Sequence, residues 1–269
     1  CGATPRGQTM MLFDIGANLT HSDFKDDLQA VLGRAKTAGV LQMTVTGASL
    51  EGSKQAVALS EQFEGLFATV GVHPHHAEEI NDDTLQLLAA LAESPRVVAI
   101  GETGLDYFRD FTPRDQQRRA FEAQLALAVE VGKPLFLHER DAADDFTAIL
   151  TKYRDRISSV VVHCFTGNAH ALSRYLDLDC HIGITGWICD ERRGSHLHSL
   201  IRDIPSNRLM IETDAPYLLP RSLKPKPKHR RCEPEHLVEV CRFVAALLDK
   251  PAAQIAAETT QTAQAFFKL

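Results

Sequence analysis

Glu102, His138, His163 and Asp214 each stand just past, or at the last residue of, a short apolar run. The segments read VVAIGETGLDY, KPLFLHERD, SSVVVHCFTG and RLMIETDAPY. Imidazoles and carboxylates gathered from separate parts of a chain are what a divalent cation requires. Two histidines and one carboxylate, Glu102, His138 and His163, suit an open site for Mg²⁺, Mn²⁺ or Zn²⁺. Open positions take water and a substrate oxygen, so the ion acts as Lewis acid and source of hydroxide. Asp214 is then placed to take a proton from the attacking water. Glu212, two residues earlier on the same strand face, is placed to orient a ligand. A lone strand-end histidine is more often structural, but four such groups at four strand ends argue for a joint role.

Other residues carry weaker arguments. His73, in TVGVHPHH, ends a third apolar run and could either reach a substrate or cap the next turn. His75 and His76 read as solvent-facing, and His181, at the start of its run, as structural. Arg192 and Arg193 in CDERRG, and six Lys or Arg in RSLKPKPKHRR, are either solvated loops or a phosphate-binding rim. Arg140 could bind a phosphate or pair with Asp141. Trp187, Tyr107 and Tyr217 could stack on bases or pack in loops. GETGLDY lacks the GxGxxG spacing of a dinucleotide loop.

Something must bring these groups together. Strand-like runs occur at Met11–Ile15, Val40–Thr46, Phe67–Val72, Val97–Gly101, Pro134–His138, Ser158–His163, Cys180–Ile184 and Arg208–Thr213. Stretches with helical spacing, such as Arg118–Val131 and Ala142–Tyr153, lie between them. Continuous apolar strands alternating with helices predict a parallel sheet covered by helices, and eight of them predict an α/β (β/α)8 TIM barrel. There the strand C-termini meet on one face, which would unite the four residues. The tail from Glu233 to Leu269 reads as two helices, with Pro251 in the first turn of the second. Residues 11–269 read as a single domain, and residues 1–10 as a cropped extension or expression remnant.

Composition narrows the class. Of 269 residues 44% are hydrophobic, enough for a core, and the net charge of −6 argues against a generally basic nucleic-acid binder. The six cysteines form no CxxC pair, which suggests reduced thiols in a cytoplasmic protein. The N-terminus lacks the apolar core of a secretory signal, and no segment approaches the length of a membrane span.

GVHPH, GETGLDY, LHERDA, HCFTG, GITGWICDERRG and ETDAPYLLPR, in this order, resemble the motifs of the TatD family of metal-dependent deoxyribonucleases. The resemblance runs from about Leu12 to the C-terminus. It implies an amidohydrolase-type TIM barrel that hydrolyses nucleic-acid phosphodiesters. From the branch it matches best, it implies a Mg²⁺-dependent 3′-to-5′ exonuclease on single-stranded DNA or RNA, serving repair of oxidative damage. A monomer is expected. Glu102, His138 and His163 match the family's metal ligands, Asp214 its catalytic aspartate and His73 the histidine of its GVHP motif. One departure stands out: where most of the family has His-x-His on strand 1, this chain has Gly16 and Asn18. The expectation is one well-held metal and a depleted second position. Two other readings stay open: a metal-dependent ester or amide hydrolase, such as a D-aminoacyl-tRNA deacylase, and a non-catalytic nucleic-acid-binding barrel.

Overall fold

A computed structural model describes residues 10–269. The reading of residues 1–10 as an extension falls, except for Met10, outside the described residues. Eight strands form one parallel sheet in sequence order: β1 (Leu12–Ala17), β2 (Val40–Val45), β3 (Leu66–Val70), β4 (Val97–Asp106), β5 (Leu135–Arg140), β6 (Val160–Val162), β7 (His181–Ile184) and β8 (Leu209–Ile211). Helices α1 (Leu28–Thr37), α2 (Leu50–Gln62), α3 (Asp82–Leu91), α4 (Arg114–Val131), α5 (Ala143–Tyr153), α6 (Ala169–Asp177) and the short α7 (Leu197–Leu200) follow the strands. Two more, α8 (Leu237–Leu248) and α9 (Ala252–Phe267), close the chain. This is the expected (β/α)8 barrel. Pro251 stands one residue before α9, at its cap, rather than inside its first turn.

Local sequence explains where the helices start. Ser49, Asn81 and Asn168 each accept a backbone N–H from the first turn of α2, α3 and α6, satisfying a donor that has no partner within the helix. The helices bury one face on the sheet; Phe121 of α4 stacks on Phe146 of α5 at 5.1 Å. Inside the barrel the two-residue strand period puts an apolar residue beneath a polar one: Phe136 precedes His138, Val161 precedes His163, and Met210 precedes Glu212. Phe13 also belongs to this inner cluster, and it packs on Phe267 of α9, whose C-terminal end plugs the barrel floor.

Strands β4 and β5 run longer than the sequence reading, which ended them at Gly101 and His138. They stay paired out to Asp106 opposite Arg140. Gly104, which the sequence reading left past the strand, instead permits close approach of two backbones: a Cβ there, at φ +155°, would lie 1.7 Å from the His138 carbonyl oxygen. Gly104→Ala must therefore push β4 off β5, at a cost above about 3 kcal/mol. At roughly 2–4 °C per kcal/mol for a chain of this size, Tm falls by on the order of 10 °C. Thermal denaturation checks this, and an unchanged Tm would refute the close-approach argument. Strands β6 and β8 are shorter than read, ending at Val162 and Ile211.

The barrel closes between β8 and β1 through few bonds. Asp214 N–H donates to the Gly16 carbonyl at 2.8 Å, and Asn18 N–H to that of Ala215 at 2.8 Å. Asp14, fully buried, accepts from Thr213 N–H at 3.0 Å and lies 2.5 Å from the Thr213 hydroxyl. Burial raises its pKa from 3.8 to about 7, against the lowering effect of these hydrogen bonds. Between those two values the unfolded chain has released this proton and the folded one still holds it. The Asp14 contribution to stability therefore weakens as pH rises from about 4 to about 7 and is level above. Asp14→Asn, which mimics the protonated acid, is expected to gain Tm relative to the parent on going from about pH 5 to about pH 8. Equal pH slopes for the two proteins would contradict the assignment.

Candidate active site

Glu102, His138 and His163 meet at the C-terminal mouth of the barrel. Glu102 Oε1 lies 2.7 Å from His163 Nε2, 3.2 Å from His138 Nδ1 and 3.5 Å from His73 Nε2. The second nitrogen of each strand histidine also faces a carboxylate: His163 Nδ1 is 2.9 Å from Glu212 Oε1, and His138 Nε2 is 2.9 Å from Asp106 Oδ2. Glu102 lies within β4 and His138 within β5, while His163 follows β6 directly and Asp214 is three residues past β8. A cavity of about 480 Å³ opens above them.

The donor set suits a cation. A neutral imidazole has one N–H, so it cannot donate to carboxylates on both sides. His163 and His138 therefore need either a second proton each or a metal ion in its place. Burial disfavours the charged rings, but Glu102 and Glu212 outweigh it for His163, whose pKa is raised well above the usual value. Asp106 and Glu102 do the same for His138, raising it to about 9. Burial would raise the pKa of Glu102, yet the charge of His163 and hydrogen bonds from His138 and His163 hold it well below the carboxylate range. Two sets bring single ligand atoms close enough to share an ion: His73 with Glu102 and His138, and His163 with Glu212 and Asp214.

His73 caps the next turn and also borders the cavity. Its Nδ1 accepts the His75 N–H at 3.0 Å, capping the turn after β3. Burial pushes its pKa well below normal, so the ring is neutral and the cap leaves the proton on Nε2, facing the cavity. That tautomer makes His73 a hydrogen-bond donor rather than a ligand, despite its place beside Glu102 and His138. His75 corrects the reading that it faces solvent. Its ring lies 4.2 Å from that of His73, and Nε2 lies 3.4 Å from Asp106 Oδ2. Pro74 turns the chain so that both rings enter the site. His181 sits at the start of β7, away from this mouth.

Strand β1 presents no side chain at Gly16, and Asn18 follows the strand at the edge of the cavity. Asn18 donates its amide N–H to Asp214 Oδ1 at 3.0 Å and to the Ala215 carbonyl at 3.0 Å, fixing the Asp214 carboxylate. A Cβ on Gly16 would stand 3.0 Å from Glu212 Oε1 and 3.0 Å from Phe136 Cζ. Glu212 thus fills the space that a side chain at position 16 would need, and reaches His163 from there.

At the rim Arg140 does not pair with Asp141. Its guanidinium lies over Phe108 at 3.8 Å and near Trp187 at 5.6 Å. Arg193 borders the cavity with Asp190 at 3.0 Å, whereas Arg192, also on Asp190, faces a neighbouring pocket. Of the basic segment after β8, Arg221 pairs with Glu191 and Arg231 with Asp27. Tyr107 is not free to stack: its hydroxyl donates to Asp145 at 2.6 Å and Arg114 covers its ring at 4.2 Å. Tyr217 is open, at 52% exposure, and lines the cavity.

A protein-family profile described as "TatD related DNase" matches residues 13–268. The chain belongs to the TatD-related DNase family. Within that family it is 46% identical, over 96% of its length and 100% of the relative's, to the 3′-5′ ssDNA/RNA exonuclease TatD of Pectobacterium carotovorum. The crystal structure of the TatD homologue YJJV from Escherichia coli superposes with a TM-score of 0.88 at 29% identity, covering 97% of this chain and 100% of that one. An uncharacterized amidohydrolase of Saccharomyces cerevisiae shares the fold, with a TM-score of 0.83 at 24% identity over 96% of this chain and 99% of that one. In this TatD-family chain the site residue that sequence reasoning missed is Asp106, which burial would push up but its hydrogen bond with His138 and the neighbouring His75 ring hold well below the carboxylate range. The signal was available: Glu102, Gly104 and Asp106 keep the two-residue strand period, hidden because the strand was ended at Gly101.

Proposed function

We propose that this chain is a Mg²⁺-dependent 3′-to-5′ exonuclease of single-stranded DNA and RNA, acting as one cytoplasmic hydrolase domain over residues 11–269. The observation that carries the reading is the convergence of His138, His163 and Glu102 beneath an arginine-bearing rim. The relatives named as exonucleases give the polarity and strand preference. Glu102, His138 and His163 would hold the ion, with Glu212 and Asp106 orienting the two rings. A bound divalent ion supplies Lewis-acid polarisation of the phosphoryl group and a more acidic water. His73 donates its Nε2 proton in a hydrogen bond to a non-bridging phosphate oxygen. Asp214, whose pKa burial raises, accepts the proton of the attacking water, with its carboxylate held by Asn18. Arg140 and Arg193 bind flanking phosphates, while Arg192 anchors Asp190. Five described cysteines are free, and no helix among the described residues is long and apolar enough to cross a membrane. The first fact supports a reducing compartment.

Digestion of single-stranded DNA labelled at either end tests the reading. Stepwise shortening from the 3′ end with Mg²⁺, abolished by chelator, is expected. No shortening with any divalent ion, together with hydrolysis of a D-aminoacyl-tRNA ester, would overturn it in favour of a deacylase.

A further inference from the structure

Aromatic rings and guanidiniums alternate along the wall of the groove leading out of the cavity. Phe108 has the Arg140 guanidinium 3.8 Å from its ring centroid and that of Arg109 at 5.6 Å. Trp187 has Arg193 at 4.2 Å and the same Arg140 at 5.6 Å. The row runs Arg109, Phe108, Arg140, Trp187, Arg193 and draws on the C-terminal ends of β4, β5 and β7. The groove has a volume of about 700 Å³ and shares Arg140, Trp187 and Arg193 with the metal-type cavity. It is therefore continuous with the site.

Packing does not explain Phe108. It is 53% exposed, in a loop where burying it would be favourable. Asp190 holds Arg193, whereas Arg109 and Arg140 have no carboxylate partner among the described residues. Arg140 lies over Phe108 with no carboxylate to hold it there, unlike Arg114 over Tyr107, so the row offers an aromatic face that a base can take with positive charge beside it. A single-stranded nucleic acid offers the complement, base faces alternating with phosphodiester anions, whereas a duplex hides its base faces.

We propose that this row is the track for the stretch of single strand beyond the scissile bond, with Phe108 stacking on a base and Arg140 and Arg109 on the adjoining phosphates. The proposal rests on the nuclease reading for its substrate and adds the residues that select an unpaired strand. Stacking on a ring tolerates every base, so the track selects strandedness rather than sequence.

Equilibrium binding tests it without requiring turnover. The probes are a fluorescein-labelled thymidine ten-mer and its fully abasic counterpart, in chelator, measured by anisotropy. Phe108→Ala is expected to weaken the thymidine ten-mer by about tenfold, the scale of one base–aromatic stack, and the abasic strand by less than about twofold. Phe108→Trp should restore the first affinity. Equal affinity of parent and Phe108→Ala for the thymidine strand, or an equal loss on both strands, would overturn the proposal. Shortening of the thymidine strand with Mg²⁺, followed in parallel, reports on the nuclease reading separately. A parent that binds with the expected pattern yet never shortens the strand would sink that reading and leave the track standing.

Discussion

Glu102→Gln is expected to reduce metal-dependent hydrolysis by more than about a hundredfold, the upper end of what loss of a mere supporting group costs. Glu102 Oε1 is the point on which three imidazoles converge, at 2.7, 3.2 and 3.5 Å. The isosteric amide keeps the shape but removes the negative charge. His138 and His163 are then left to hold a cation with no anionic ligand beside them, and the amide NH₂ can turn toward the rings as a donor. Metal analysis of the purified variant should show uptake lost, with the circular dichroism of the parent retained. A variant that binds metal and cleaves at parental rates would remove Glu102 from the ligand set.

Asp214→Asn should separate binding from turnover. An amide cannot take a proton from water, and loss of a general base costs about 10²–10⁴-fold in rate. The parent carboxylate is half-buried and accepts the Asn18 amide N–H at 3.0 Å, a bond that the carbonyl oxygen of the new amide can keep. Geometry and oligonucleotide affinity should therefore survive. The expected result is kcat down by at least about a hundredfold with KM changed less than about threefold. A rise in KM at constant kcat would mean instead that Asp214 binds substrate and moves no proton.

The fold was legible because most strands carry a continuous apolar run buried on both faces, which is the mark of a parallel sheet. The four leading site residues were legible because the strand C-termini of such a barrel share one face. Asp106 and His75 were not, and for related reasons. Glycine at 101 and 104 has the same appearance in a sequence whether it breaks a strand or lets two strands approach, and only the pairing partner decides. Its place in the loop after β3 made His75 read as solvent-facing, while its ring turns inward to Asp106. Gly16 is the opposite case. Read alone it is a lost ligand; in the barrel its missing side chain leaves room for Glu212, 196 positions away, to reach His163. That exchange of volume between β1 and β8 is a property of the closed barrel and has no local sequence signal.

The most direct test is the position of Mn²⁺ in crystals of the protein, located by anomalous scattering. The account predicts a peak coordinated by Glu102, His138 and His163, lost in the Glu102→Gln variant. A peak elsewhere on the molecule, or one at the barrel mouth that survives the variant unchanged, would contradict the claim that this cluster holds the ion.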